Sequence, residues 1–478
     1  MNDKPFVKLF KSPNDFYMFD VNRNDIVKIS KELYLYLLDL LYGLESEISK
    51  PSSMLLAEVS KLEAEGYLSD NRIEVMKHPL TDYVNTLVDR SVDMITLQLT
   101  QNCNLRCSYC VYSEMNNDKQ RSHSSKIMSL TTAKKAIDFL AMRSIDSEKV
   151  NVGFYGGEPL LEFELLQAVV SYAEEVFSGK TLTFNITVNG TLLSPAVIEY
   201  CIEKNIAIMI SIDGPKDIHD ANRRFAADGR GSFDSIMCNI NYFKLNYPDR
   251  LDKIMLSMVI DPQNEFDDIN AISENEFLKD VTIRASLIDD IYNTEKITFS
   301  DKYSEQKEYN MFLAYLANFS NIDTSNTSPI LLEEVMEIKT KLSKFNKTKS
   351  LPREASHGGP CLPGKDRLLI DVDGVLFPCE RVSESSKVMQ IGNLDEGFDY
   401  DKVSTLLNIV ALTPSDCQNC WAFNHCTLCA KYCDNGDNLS ADLKITYCHG
   451  VKERTMELFK NIVMINEIKD VYKEKIDV

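Results

Sequence analysis

The chain lacks what would carry it into or through a membrane. No apolar run reaches the ~18 residues of a membrane span, and the start, Met1 to Phe6, holds no apolar stretch of signal-peptide length. It therefore reads as cytoplasmic, with no membrane partner. Positive charge is also short: 52 Lys and Arg stand against 72 Asp and Glu, a net charge of −20. Such a surface repels a phosphate backbone, so nucleic acid is not an expected partner. Histidine is scarce, at 6 residues. His425 and His449 adjoin cysteines but read as packed or solvated side chains. Cysteine is plentiful, at 13 residues. In a reducing compartment that number argues for metal or redox chemistry rather than disulfides. Eleven of them fall in two groups, while Cys201 and Cys238 stand alone in apolar helical patterns and read as buried core residues. The length, 478 residues with 44% hydrophobic, allows about three domains.

The organising stretch is 94–110. A short apolar run leads to Thr100-Gln101-Asn102 and then to Cys103, Cys107 and Cys110. Three thiolates this close can hold three corners of one cubane iron–sulfur cluster, which leaves one iron open to another ligand. A zinc site, or three unrelated core cysteines, is the alternative. The CxxxCxxC spacing with Tyr109 before the last cysteine resembles the radical S-adenosylmethionine (radical SAM) enzymes. The resemblance implies that SAM chelates the open iron through its amino and carboxylate groups. It also implies that an electron from the cluster splits SAM to release a 5′-deoxyadenosyl radical.

Downstream, apolar strands alternate with amphipathic helices. Strands are expected at 95–99, 150–155, 182–188, 207–212, 254–260 and 281–285, with helices at 131–143, 163–177, 194–203 and 232–245. Repeated β-α units imply an α/β fold with a parallel sheet. The resemblance implies a partial (β/α)6 barrel with its chemistry on loops at the carboxyl ends of the strands. Gly156-Gly157-Glu158-Pro159 follows the second strand. It matches the family's GGEP motif, which holds the amino group of SAM. Val188-Asn189-Gly190-Thr191 follows the third strand. Ser211-Ile212-Asp213-Gly214-Pro215 follows the fourth, ahead of His219 to Arg224. Relatives with a SPASM extension carry a similar run, which implies SAM contacts from Ser211 and Arg223. Asp213 is a candidate for the same role or for shaping the turn. The segment 229–233 reads as structural, with Ser232 capping the next helix.

The first ninety residues read as a separate unit. Strands are expected at 6–10 and 16–21, with turns at 12–15 and 22–25 and a further apolar stretch at 26–29. Ser30 is placed to cap a helix over 31–42, and Ser52 or Ser53 one over about 54–65 that Gly66 ends. A closing strand is expected at 73–75. The layout is winged-helix-like. It resembles the units with which peptide-modifying enzymes receive the leader segment of a substrate as an added strand. A plain extension packed on the next domain is the alternative.

Helices are expected at 302–319 and 329–345, and 346–359 reads as a basic linker. Eight cysteines follow: Cys361, Cys379, Cys417, Cys420, Cys426, Cys429, Cys433 and Cys448. Asp373-Gly374 reads as the turn of a hairpin ending at Cys379. The pairs Cys417/Cys420 and Cys426/Cys429 invite a zinc-ribbon reading, but they stand closer together than in such ribbons. The group resembles the SPASM extension of radical SAM peptide maturases. By that resemblance Cys417, Cys420, Cys426 and Cys448 hold one auxiliary cluster. Cys361 and Cys379 hold another with Cys429, Cys433 or both. Position 430, where the pattern expects a cysteine, is Ala430.

The resemblance divides the chain into a recognition unit (1–88), a radical SAM core (89–346) and a SPASM region with a C-terminal helix (347–478). It implies SAM and three [4Fe–4S] clusters, a reductant such as flavodoxin or ferredoxin, and a Cys-rich ribosomally made precursor peptide. Thioether crosslinking of a peptide cysteine to carbon is the activity it favours. A sulfatase-maturase-like enzyme making formylglycine is the alternative. Its relatives carry an aspartate base directly after the cysteine matching Cys379, where this chain has Glu380, so Glu380 is a candidate catalytic residue. Peptide epimerisation and carbon–carbon crosslinking share the same motifs. A non-catalytic metal scaffold would lack a reason for the GGEP and SIDGP segments.

Overall fold

The computed structural model describes residues 4–43, 51–112, 123–276, 278, 281–292, 296–319, 328–343 and 347–476. Its N-terminal unit is an antiparallel sheet of β1 (Val7–Lys11), β2 (Phe16–Asp20) and β3 (Asp25–Ile29), followed by α1 (Lys31–Tyr42) and α2 (Ser53–Ala64). Ser30 caps α1 and Ser52 caps α2 through their hydroxyls. Period-two alternation gives this sheet two apolar faces. Val7, Leu9, Met18 and Ile29 pack on Leu33, Leu37, Leu55 and Leu62 of the two helices. Phe6, Phe10, Tyr17 and Phe19 instead pack on Phe423, Phe459 and Val463 of the C-terminal region. The expected closing strand at 73–75 does not join this sheet. A two-residue strand, β4 (Val75–Met76), pairs in parallel with β13 (Glu354–Ala355) of the expected linker. Val75 N–H donates to Arg353 O at 3.0 Å and Lys77 N–H to Ala355 O at 3.1 Å, so the linker backbone satisfies its ladder groups.

After α3 (Val84–Arg90) comes the core. Its strands are β5 (Met94–Thr100), β7 (Lys149–Gly156), β8 (Thr181–Val188), β9 (Ile206–Ser211), β11 (Ile254–Ile260) and β12 (Thr282–Leu287). They are parallel neighbours in that order. The helices α4 (Leu130–Arg143), α5 (Phe163–Val176), α6 (Pro195–Glu203) and α8 (Phe233–Asn246) lie between them in the chain. These are the six strands and four helices the periodicity predicts. One face of the sheet is apolar and covered, with Ile95, Leu97, Leu99, Val152, Phe154, Ile208 and Ile210 buried. The other face is polar. Asn151 donates to Thr183 Oγ1 at 2.9 Å, and a Cβ on Gly153 would stand 3.2 Å from both Thr96 and Asn185. Thr96, Gln98, Asn151, Thr183 and Asn185 thus line the concave side of an α/β partial barrel.

The two later helices form as α10 (Asp301–Phe319) and α11 (Pro329–Ser343); residues 344 and 345 of the second prediction lie outside the described residues. The expected hairpin is β14 (Leu369–Ile370) and β15 (Val375–Phe377). Beyond the sequence reading, β14 pairs in parallel with β5, Leu369 opposite Thr96. With β16 (Gly392–Asn393) and β17 (Gly397–Phe398) it extends the sheet to ten strands. The C-terminal region therefore covers what would otherwise be an open strand edge. The chain ends in the helix Ala441–Ile476. Among the described residues no helix is long and apolar enough to cross a membrane. Cys201 is buried as expected, but Cys238 is exposed, on the outer side of α8. His425 is packed between Phe19 and Phe459, with ring centroids 5.5 and 5.1 Å away, and His449 is solvated.

Candidate active site

Thr100 ends β5, and the cysteine loop follows at the carboxyl end of the sheet. The Gly156-Gly157 backbone lies directly under it. Gly156 has φ +139°, and a Cβ on Gly157 would stand 2.1 Å from the Asn102 carbonyl oxygen. Gly157 N–H donates to Thr100 O, and Glu158 N–H to Asn102 O, both at 2.9 Å. The two glycines are needed because the loop and the β7 end pass at backbone contact.

A feature the periodicity did not show orients the loop. β6 (Leu105–Cys107) and β10 (Arg223–Phe225) form a two-stranded antiparallel ribbon that sets Cys107 opposite Arg223. Arg223 Nη1 lies 4.0 Å from Cys107 Sγ. Leu105 N–H donates to Cys103 Sγ at 3.3 Å, and Asn189 Nδ2 lies 3.7 Å from it. Burial pushes the Cys103 thiol up to about 11 and the Cys107 thiol up to about 12, with Cys110 contributing to both. Three clustered thiols, two of them facing N–H donors, are a donor set that fits a thiolate-held iron–sulfur cluster. Metal must displace their protons on binding.

The remaining SAM candidates surround this loop. Glu158 is fully buried, and burial pushes its carboxyl up to about 7. Its oxygens accept from Leu160 N–H at 3.1 Å and Asn189 N–H at 2.7 Å, which ties the ends of β7 and β8 together. Asp213 accepts from Arg223 Nε at 2.8 Å, from Val259 N–H at 3.2 Å and from the Tyr109 hydroxyl. Arg223 also lies over the Tyr109 ring, 5.5 Å from its centroid. Ser211 ends β9, opposite Ser257 of β11. Tyr109, Asp213 and Arg223 are thus one bonded unit next to Cys107.

Behind it stands a residue the sequence reading passed over. His219 Nδ1 accepts from Asp213 N–H at 3.3 Å, and its Nε2 bonds Ser232 Oγ at 2.9 Å; Ser232 donates on to Arg223 O at 3.0 Å. Burial, then the Arg223 charge, lowers the His219 pKa to about 4, so the ring is neutral and holds this tautomer. Ser232 does not cap α8 as expected, because its hydroxyl is used in this chain. Asp220 accepts from Phe233 N–H at 2.9 Å in its place. The run of Asp213, His219 and Ser232 was visible in the sequence, but nothing in their spacing marks the bonds.

The C-terminal cysteines form two groups. Burial, and then Cys420, Cys417 and Cys448 as neighbours, push the Cys426 thiol up to about 12. Those four stand together. Cys379 and Cys361 both act on Cys429 or are acted on by it, burial being the main cause of the raised Cys379 and Cys429 values. Cys433 is fully buried, and its S–H points at Cys429 O at 3.8 Å. Burial dominates its rise to about 12, with Cys429, Cys448 and Cys426 as further causes, so it lies between the two groups. Among the described residues no three His, Cys, Asp or Glu side chains converge on a single metal ion. Ligands to separate corners of a cubane stand farther apart than that.

Glu380 is engaged by Arg367 Nη1 at 2.5 Å, with Arg381 at 3.7 Å. A different carboxylate reaches the polar side of the barrel. Gln98 Nε2 donates to Glu384 Oε1 at 2.6 Å and to the Tyr112 hydroxyl at 2.9 Å. Glu384 follows Cys379 by five residues, and Tyr112 follows Cys110 by two.

Residues 97–273 match the model of the Radical SAM superfamily. This chain carries a radical SAM domain. Such a domain uses SAM and a [4Fe–4S] cluster. The chain is 30% identical over 165 residues to a cysteine-type anaerobic sulfatase-maturating enzyme of Clostridium novyi, covering 33% of this chain and 42% of that one. It is 23% identical over 253 residues to the radical SAM cyclopropyl synthase TigE of Paramaledivibacter caminithermalis, covering 49% and 52%. It thus spans about half the length of these curated relatives. The solved structure of native anSMEcpe with bound AdoMet superposes with a TM-score of 0.55 at 20% identity, over 78% of this chain and 99% of that chain. That likeness establishes the fold.

Proposed function

We propose that this radical SAM enzyme oxidatively modifies a Cys-rich precursor peptide, forming bonds from cysteine sulfur to carbon. The observation that carries the reading is the convergence, at one end of a parallel sheet, of the cysteine loop, the GGEP turn and the Tyr109–Asp213–Arg223 unit. They stand at the end of the sheet whose polar face carries Thr96, Asn151, Thr183 and Asn185. Cys103, Cys107 and Cys110 hold the SAM-binding cluster. When bound, cluster and SAM supply a 5′-deoxyadenosyl radical that removes one hydrogen atom from a peptide carbon. Glu158, Ser211, Asp213 and Arg223 orient SAM, and Tyr109 closes the site beside the last cysteine. Cys417, Cys420, Cys426 and Cys448 hold one auxiliary cluster. Cys361, Cys379 and Cys429 would hold a second, to which a substrate thiolate would add the fourth ligand, with Cys433 serving as packing. Gln98 holds Glu384 where it can take the proton that the peptide thiol loses. The N-terminal sheet receives the leader segment by strand addition, and flavodoxin or ferredoxin supplies electrons.

The sulfatase-maturating relative favours a second reading, oxidation of a single cysteine or serine to formylglycine. Glu380 would be the base in that case, and its pairing with Arg367 counts against it. The test is anaerobic reconstitution with iron and sulfide counts, a 5′-deoxyadenosine assay, and mass analysis of a co-expressed Cys-rich peptide. About twelve irons, SAM cleavage and a peptide lighter by two hydrogens per crosslink are expected. A product that reacts with hydrazines would establish formylglycine instead. About four irons with cleavage would remove the auxiliary clusters from the reading.

A further inference from the structure

Lys444 is a lysine almost without water. It is 1% exposed, on the first turn of the C-terminal helix and four residues before Cys448. Its ammonium has three N–H donors, and all three are used. They reach Ile409 O at 2.8 Å, Thr413 Oγ1 at 2.9 Å and Cys417 Sγ at 3.3 Å. Thr413 Oγ1 itself lies 3.4 Å from Cys417 Sγ. Among the described residues no carboxylate pairs with Lys444. Lys452 and Asp416, both exposed, also bear on Cys448.

A buried cation without an anion is costly, and proteins avoid it unless a counter-charge is present. Two of the three bonds of Lys444 go to neutral oxygens. The third goes to a thiol sulfur that stands with three more. A centre held by four thiolates is anionic overall, and it would supply the missing charge. We infer that the Lys444 ammonium is the built-in counter-charge of the auxiliary cluster held by Cys417, Cys420, Cys426 and Cys448, and that it raises that cluster's reduction potential.

The inference rests on the proposed SPASM reading and gives it a direction. When a peptide thiol bonds to a carbon radical, the S–H bond breaks and the C–S bond forms. One proton and one electron are left over. The proton goes to a carboxylate, and the electron needs an acceptor iron–sulfur cluster. Reduction adds negative charge, which a fixed cation 3.3 Å from a ligand sulfur favours. Lys444 thereby makes this cluster the better electron acceptor.

The test is potentiometric titration of the reconstituted full chain, followed by electron paramagnetic resonance, on wild type, K444Q and K444R. K444Q keeps donors and loses the charge; K444R keeps both. K444Q is expected to lower the potential of one auxiliary cluster by a factor of about ten in its reduction equilibrium, ~59 mV for one electron. K444R should stay within about twofold of wild type, ~18 mV. The SAM-binding cluster should not move in either. Equal potentials for K444Q and wild type at full iron content would overturn the inference. So would equal shifts in both variants, because bond geometry rather than charge would then be responsible. A wild-type chain that takes up only about four irons would instead refute the auxiliary-cluster reading itself, before the variants are compared.

Discussion

Asp213 offers the sharpest test of the site, because its partner is a buried cation. The carboxylate is 1% exposed and Arg223 7% exposed, with Nε 2.8 Å from Oδ2. Removing one member of a buried pair strands the other and costs about 3–5 kcal/mol, whereas replacing both is often close to neutral. D213N preserves shape but turns an amide toward the guanidinium. It also weakens the acceptor for Tyr109 and for Val259 N–H. Urea unfolding followed by circular dichroism should therefore show D213N destabilised by about 3–5 kcal/mol. The double variant D213N/R223M should recover at least about 2 kcal/mol of that, a coupling measurable by a double-mutant cycle. SAM binding by equilibrium dialysis should be weak in both, since D213N releases the Arg223 guanidinium from its anchor and the double variant removes it. A D213N loss below about 1 kcal/mol, the value of an exposed pair, would refute the reasoning. So would strictly additive losses in the cycle.

Other outcomes follow from the same contacts. G157A puts a methyl group 2.1 Å from Asn102 O, so the cysteine loop must shift; a loss of about 1–3 kcal/mol and weaker cluster retention after gel filtration are expected. His219 has its folded pKa lowered to about 4 from 6.5, by burial first. The unfolded chain therefore takes up the proton first on acidification. The contribution of His219 is fully present above about pH 6.5 and is lost as pH falls toward 4, at up to ~1.4 kcal/mol per pH unit. The stability gap between wild type and H219Q should narrow over that window in denaturation curves at pH 7, 6 and 5. C433S should keep the wild-type iron content while C429S loses about four irons; the opposite result would exchange their roles. E384Q should suppress peptide modification by about 10²-fold or more while 5′-deoxyadenosine still forms, and E380Q should not; equal activity of E384Q and wild type would remove Glu384 from the proposed proton transfer.

The sequence by itself determined the core. Its six strands and four helices follow from alternation and helical period, since residues such as Ile95, Leu97 and Leu99 have one face to bury. The cysteine spacing and the GGEP turn named the candidate site, because both are local: their residues are neighbours in the chain. Only the tertiary structure decided the rest. The pairing of Cys107 with Arg223 joins residues more than a hundred positions apart through a ribbon too short to have a period. The bond from Gln98 to Glu384, and the removal of Glu380 by Arg367, depend on where a loop after Cys379 folds back. The N-terminal sheet has a second apolar face, and the sequence could not say that Phe423, Phe459 and Val463 cover it. That contact also means the unit cannot be deleted without uncovering the C-terminal cysteine region: Val21, Asn24 and Ile73 bond Asn424, His425 and Gln418, within the segment that carries Cys417, Cys420 and Cys426. Lys444 reads in sequence as one more helix lysine. Its burial against Cys417, with no carboxylate paired to it among the described residues, exists only once the helix is packed. Local periodicity fixes which elements form, while side-chain bonds between distant elements depend on packing geometry that no single segment encodes.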